Sequence, residues 1–483
     1  MELASVHRRV PVYREIAGDG LTPIGLCMNF SGEEDLFLLE SANLDSVFSR
    51  FTFFGFRPRQ TLTYRDGTLR ILTRGEEAVA VRGNPIEYLI RALADEESAV
   101  NEERGYFCGG WVGFIGYDCA NHMGILRTPI REDHDLPSMI MFHVDEFYVF
   151  DNHRAKLYAA YSAKINGDPT EAYRLACRRT LEMAWEIHRS QKLDFPPTVV
   201  KGRSEDFDRE SFIKVVRSLK EEIAAGECIQ AVISNRYEIT GEMNPLSLYR
   251  LMRHINPSPY MFYLQSGGNV LCGTSPEIHL KIREGIATLK PIAGTYRLDG
   301  GDPEEIASRL LADEKERAEH LMLLDLARND LYTGCGTESV RVVSSFCTER
   351  YSHVVHIVSE VRGRICEGIS PLRLFCNTFP AGTVSGAPKV RAMELIDQYE
   401  RSPRGFYAGC AGYFSYSQDI DTCIVIRSAF AAPDRVILRA GAGIVYDSDP
   451  ETEYREVGVK LGALFDAMQH INMLEEKNVF VDR

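Results

Sequence analysis

Four glutamates fall into two pairs of equal spacing: Glu316 with Glu319, and Glu453 with Glu456. On a helix, residues three apart share a face, and Lys460, four beyond Glu456, joins the second pair. Hard oxygen donors of this kind suit Mg²⁺, which accepts one or two protein carboxylates, keeps several waters and leaves room for a substrate's own carboxylate. Brought together with no cation, four carboxylates repel, each pair by ~4 kcal/mol at 4 Å and an effective dielectric of ~20. Either the pairs face water separately or a cation holds them. Taken alone, each cluster also fits a solvated helix laced with Glu/Lys/Arg pairs. Just before the second pair, Gly441-Ala442-Gly443 sets two glycines around one small residue. A turn there would leave backbone N–H groups open to an anion.

The surrounding elements must position these groups. Val457, Leu461, Phe465 and Met468 recur at helical spacing, so the second pair sits on a helix that follows a strand over 436–440 and the glycine turn. The first pair lies in a pattern that predicts one long helix over 303–328. Phe212, Val215, Val216, Leu219 and Ile223 mark an amphipathic helix closed near Gly226, with a strand at 228–234 after it. Extended runs follow at 260–264, 269–272, 277–282, 287–290, 354–361, 407–414, 422–430 and 436–439, with a helix over 387–399. Residues 1–190 read as β-rich at 37–41 and 51–55, helical over 85–93, and glycine-interrupted strand and turn over 109–118. The polar stretch 189–197 supplies a boundary between an N-terminal β-rich region, 1–195, and a C-terminal region, 196–483. Strands and helices in separate runs point to α+β layers rather than a doubly wound sheet.

Composition narrows the function. The chain has 483 residues and a formal charge of −14, which argues against wrapping nucleic acid and requires locally placed cations for an anionic substrate. The first residues hold no apolar signal core, and no window approaches the ~18 apolar residues of a membrane span, so a cytoplasmic protein is expected. Twelve cysteines without a C-x-x-C pair fit reduced thiols better than disulfides or zinc.

Five segments, Lys290-Pro-Ile-Ala-Gly-Thr295, 313–322, 325–330, 379–389 and 441–445, stand in the order seen in chorismate-utilising enzymes. The chain most resembles the anthranilate synthase component I family. That resemblance implies large antiparallel sheets flanked by helices, with the active site in a cleft between layers. It implies Mg²⁺ held directly by Glu319 and Glu456, with Glu316 and Glu453 as outer carboxylates. Gly441, Ala442, Gly443 and Lys460 would take the ring carboxylate of chorismate, and Tyr407 and Arg427 its enolpyruvyl carboxylate, a task suited to a guanidinium fork. Glu277 matches a general acid for the departing hydroxyl, His356 a histidine of the later elimination, and Gly294, Thr295 and Thr383 residues that line the pocket.

Two positions discriminate among relatives. Gln230 stands where water-using relatives carry a lysine, and an amide is no base. Ala293 stands where some aminodeoxychorismate synthases carry a nucleophilic lysine. Ammonia should therefore add directly, giving anthranilate and pyruvate in the first committed step of tryptophan biosynthesis. A glutamine amidotransferase subunit would supply it, since no cysteine here sits in a glutaminase elbow. Residues 38–41 and 256–264 resemble the halves of a tryptophan feedback pocket, with Glu40, Ser41, Pro257, Tyr260 and Met261 as its contacts. Glu40 would take the ammonium group. The alternatives are an aminodeoxychorismate or aminodeoxyisochorismate synthase, and a non-catalytic tryptophan-binding homologue.

Overall fold

The structure, a computed structural model, describes residues 3–18, 20–42, 50–94, 96–188, 198–298, 301–350 and 354–477. Among these, the strands form two sheets of twelve, built from antiparallel ladders. The first runs through Arg9–Ile16, Lys156–Lys164, Glu146–Asp151, Phe51–Phe56, Asp35–Glu40, Tyr260–Ser266, Asn269–Ser275, Ser428–Ala432, Arg435–Ile444, Gln230–Glu242 and Val199–Glu205. The second runs through Ile292–Arg297, Val354–Arg364, Ile286–Leu289, Ile278–Arg283, Ile420–Ile424, Cys410–Ser415, Gly110–Ile115, Met139–Val144, Gln60–Arg65, Thr68–Thr73 and Val79–Arg82. Gly386–Ala387 pairs at the side of the first sheet and Arg341–Arg350 at the side of the second. This is the expected α+β architecture of large antiparallel sheets flanked by helices.

Strand alternation explains the layering. In Asp35–Glu40, Phe37 enters the core between the sheets with Phe53, Trp111 and Phe142, while Leu36 and Leu38 join the opposite core, which the helices cover. Both faces are buried, so the strand reads as a continuous apolar run. Each fully buried side chain of this size contributes about 1.5–3 kcal/mol. The boundary segment 189–197 lies outside the described residues. Strands from both sides of it enter both sheets: Met261 pairs with Glu40 in the first, and Cys410 with Ile115 in the second.

Three expected elements differ, each for a local reason. The long helix over 303–328 is two, Pro303–Ala312 and Glu314–Tyr332. Between them Asp313 is extended, and its carboxylate accepts the N–H groups of Lys315 and Glu316, so the preference of aspartate for a helix N-cap outweighs continuation. The strand over 422–430 is likewise two. Ile420–Ile424 belongs to the second sheet and Ser428–Ala432 to the first, and the chain crosses between them through Arg427 at φ 49°. Finally, the strand expected at 436–440 continues to Ile444, so Gly441–Gly443 is no turn. The 13-residue strand Gln230–Glu242 pairs with it throughout.

Candidate functional site

The helix Pro450–Lys477 begins where Asp449 accepts the Thr452 N–H, and it buries Val457, Leu461, Leu464, Met468 and Ile471 against the first sheet and its helices. That packing fixes its acidic turn. Glu453 is buried, whereas Glu456 is exposed and paired with Lys460 at 2.6 Å. Lys460 Nζ also donates to the Gly441 carbonyl at 2.9 Å.

The helix Glu314–Tyr332 brings the other pair. Glu319 accepts from Gln230 Nε2 at 3.4 Å. Burial raises its pKa and the negative charge of Glu456 raises it further, against the pull of Lys315, Gln230 and Lys460. Glu453 is raised by burial and by Glu456, against Ser448, Lys315 and Lys460. The two acidic helices therefore share one electrostatic field. Glu316 lies beside Gly294, where an added Cβ would come 3.1 Å from its Oε2. Gly294 also has φ 76°, so this position suits glycine on both counts. Among the described residues no group of three or more His, Cys, Asp or Glu is drawn together tightly enough to hold a metal. The donor set nevertheless fits Mg²⁺, because hard carboxylates whose negative form is disfavoured by burial and by each other are relieved by a cation.

The glycines do not form an anion nest of turn type, but their amides are still turned outward. Ser234 N donates to Glu400 and Val232 N to the Ser385 carbonyl. The pairs Ser234–Gly441 and Val232–Gly443 are thus the non-hydrogen-bonded positions of the ladder. The N–H and C=O groups of Gly441 and Gly443 point away from that strand, toward the side where Lys460 and Tyr407 lie. Ala442, between them, faces the ladder. Side chains would not fit at either glycine. A Cβ on Gly443 would meet Gln230 Nε2 at 2.6 Å, and one on Gly441 the Ile233 carbonyl at 2.8 Å and the Tyr407 hydroxyl at 3.1 Å. Burial pushes Tyr407 up to about 12, so it remains a neutral donor.

Glu277 precedes the strand Ile278–Arg283 and is buried. Burial pushes its carboxyl up to about 8, with Thr383, the Ile292 N–H and the charge of Lys460 pulling the other way. It is protonated at neutral pH. Thr383 lies beside it, on the turn Gly382–Val384, with its Oγ1 buried and without a hydrogen bond of normal geometry. His356 pairs in register with Thr295, whose side chain lies outside the described residues. Burial and the charge of Arg427 lower His356 to about 4 against the Gly294 carbonyl, so the ring is neutral. Arg427 donates to Asn256 Oδ1 at 3.2 Å.

A cavity of about 370 Å³ lies along the strand Tyr260–Ser266. Its wall includes Leu39, Ser41, Pro259, Tyr260, Met261 and Asp421. Two expectations are corrected here. Glu40 does line the cavity, but Tyr249 and Arg253 bond its carboxylate, so the charge expected to take an ammonium group is already matched. Pro257 is exposed and Pro259 forms the wall instead. Asn256 and Lys315 were missed from the sequence. In the sequence Asn256 stands only as the first residue of the segment 256–264, with nothing local to pair it with Arg427, whereas the four-residue step from Lys315 to Glu319 was a visible signal.

Among the described residues no helix is long and apolar enough to cross a membrane. A family model described as chorismate binding enzyme matches residues 42–466. Anthranilate synthase component 1 of Bacillus caldotenax is 36% identical, over 98% of this chain and 96% of that protein. Among solved structures, anthranilate synthase component I of Streptococcus pneumoniae superposes with a TM-score of 0.73 at 32% identity, covering 93% of this chain and 99% of that one. The menaquinone-specific isochorismate synthase of Escherichia coli gives 0.72 at 18% identity over 96% and 95%, a likeness of fold.

Proposed function

The chain belongs to the chorismate binding enzyme family, and from that premise we propose that it is the aminating component of an anthranilate synthase, converting chorismate and ammonia to anthranilate and pyruvate. One observation carries the reading: two acidic helices converge on a field that also holds Lys460, Gln230 and the buried acid Glu277. Chorismate carries a ring carboxylate, an enolpyruvyl carboxylate and a ring hydroxyl, and the residues divide accordingly. Lys460 and the outward amides of Gly441 and Gly443 meet the ring carboxylate. Arg427, with Tyr407, grips the enolpyruvyl carboxylate through charge-assisted bonds.

Hydroxide is a poor leaving group, and Glu277 enters as the protonated acid that lets it depart as water while ammonia adds. His356, neutral and held at the Gly294 carbonyl, can accept the ring proton when pyruvate is eliminated. Mg²⁺, held by Glu319 and Glu456 with Glu316 and Glu453 outside them, would supply the positive charge that neutralises the ring carboxylate and polarises the ring. Gln230 cannot deprotonate water, which favours the amine product.

Ammonia would come from a glutamine amidotransferase subunit, and tryptophan would act as feedback inhibitor in the cavity walled by Ser41, Tyr260 and Met261. The test is purified protein with chorismate, Mg²⁺ and excess ammonium, followed by product identification. Ortho-aminobenzoate and pyruvate in equal amounts are expected. A para isomer or a non-aromatic amino acid would move the protein to an aminodeoxy-forming activity. Unchanged chorismate would leave a binding role alone.

A further inference from the structure

Beside Glu277, along the later turns of the helix Glu314–Tyr332, lies a cavity of about 40 Å³ lined in part by Glu277, His279, Lys290, Asp330, Thr378 and Thr383. A water needs about 10–15 Å³ of such space, so two or three fit. Two polar atoms on its wall are buried without a hydrogen bond of normal geometry: Thr383 Oγ1, which still lies near enough to Glu277 to favour its charged form, and Nε2 of His279, a residue 2% exposed. The tautomer of His279 follows from its neighbour. Thr422 donates to the Leu280 carbonyl at 3.1 Å, and with that bond made its Oγ1 accepts from His279 Nδ1–H at 3.3 Å. Burial and the charge of Lys389, against the pull of the nearby Thr378 carbonyl, hold the ring neutral, with its pKa lowered to about 3. Nε2 is then a bare acceptor. The Thr378 carbonyl beside the ring can only accept as well, and it already receives Lys389 Nζ at 2.8 Å. A buried acceptor left bare costs about 1–3 kcal/mol. Water is the ligand that satisfies it.

We propose that this cavity holds ordered water that returns a proton to Glu277 after each turnover, with His279 orienting the water and Asp330 marking the outer end of the path. Asp330 suits that end. Its side chain is 13% exposed, and both its oxygens receive Lys389 Nζ, at 2.8 and 3.0 Å. A water that donates one hydrogen to His279 Nε2 has the other free for the Glu277 carboxylate. In the cycle, the Glu277 O–H bond breaks as its proton passes to the departing hydroxyl, which leaves as water. The carboxylate then takes a proton from one cavity water as that water accepts one from the next, and the last water of the chain draws its proton from solvent beside the Asp330 carboxylate. The added nitrogen releases one proton to solvent, so the turnover is proton-neutral. His279 and Asp330 are positioning residues here, and the role rests on Glu277 acting as the acid proposed above.

Two kinds of measurement test it. A crystal structure at atomic resolution should show water within hydrogen-bonding distance of both Glu277 and His279 Nε2. A dry cavity overturns the proposal whatever reaction the protein catalyses. In solution, Ala327→Leu fills the cavity from the helix Glu314–Tyr332. His279→Phe removes Nε2 while keeping ring contacts with Phe375 and Phe379, now 5.1 and 5.5 Å from the His279 ring. Each should lower kcat about tenfold, leave the KM for chorismate within about twofold, and raise the solvent deuterium isotope effect on kcat. Folded variants with the wild-type kcat and isotope effect would overturn it. Should neither variant fold, the water positions in the wild-type crystal decide.

Discussion

Glu277 and Glu319 are both carboxylates raised by burial, yet they have opposite tasks, and their neighbours separate them. Glu277 has no negative neighbour among the causes of its shift, and at about 8 it keeps its proton for use as an acid. At constant free ammonia, kcat/KM should therefore hold up to about pH 8 and fall about tenfold per unit above it. Glu277→Gln should lower kcat by ~10²–10⁴-fold and abolish that basic limb in the residual rate. A rate that is flat from about pH 6 to about pH 9 in the wild type would remove Glu277 as the acid. Glu319 is raised by burial and next by Glu456, a like charge that a cation would offset. Because the folded state then binds the proton more tightly than the unfolded one, metal-free stability falls as pH rises from the ordinary carboxyl pKa through the raised value. Glu319→Gln should raise the Tm of metal-free protein at neutral pH. The same change should weaken Mg²⁺ binding, measured by calorimetry, by at least ~10–100-fold and lower turnover accordingly. Unaltered affinity would show that the ion, if bound, lies elsewhere.

At the scale of elements, the segment from Asn256 to Tyr260 joins two sites. Its last residue walls the 370 Å³ cavity, and its first accepts Arg427, the arginine at the crossing between sheets. A hydrogen bond to a charged group is worth about 1.5–3 kcal/mol, so Asn256→Ala should raise the KM for chorismate about tenfold or more and blunt inhibition by tryptophan. Ser41→Phe fills the cavity from the neighbouring strand and should relieve tryptophan inhibition while sparing turnover. Undiminished inhibition in steady-state assays would take the regulatory role away from this cavity. Much of this arrangement was legible because periodicity and charge spacing are local. The amphipathic helix Arg209–Ala224, the strand Tyr260–Ser266 and the paired glutamates all follow from residues within a few positions of each other. What escaped depends on distant partners. Arg427 looks like mid-strand until two different sheets claim its flanks. Gly441–Gly443 looks like a turn until a strand two hundred residues earlier pairs with it. Glu40 looks like a free ligand for an ammonium group until Arg253 and Tyr249, more than two hundred residues later, pair its carboxylate.

The whole molecule resists division at the polar stretch near residue 195. Each sheet takes five strands from the chain before that stretch, and they join the later strands through continuous ladders. Removing them would uncover the edges Tyr260–Ser266 and Cys410–Ser415 together with Phe262, Tyr413 and Phe414, all buried in the core between the sheets. Unpaired edges flanked by apolar side chains are templates for aggregation. A fragment of residues 198–483, although it carries the matched metal, acid and substrate residues, should therefore be insoluble when expressed alone. Co-expression with residues 1–188 should recover soluble complex if the ladders can form between chains. The intact protein should melt in one transition. Tryptophan at about a hundred times its Kd should move that whole transition by the equivalent of about 2.7 kcal/mol, because its cavity is built from strands on both sides of the stretch. Two separate transitions, or a soluble and active 198–483 fragment, would mean that the earlier strands are attached to the catalytic part rather than built into it.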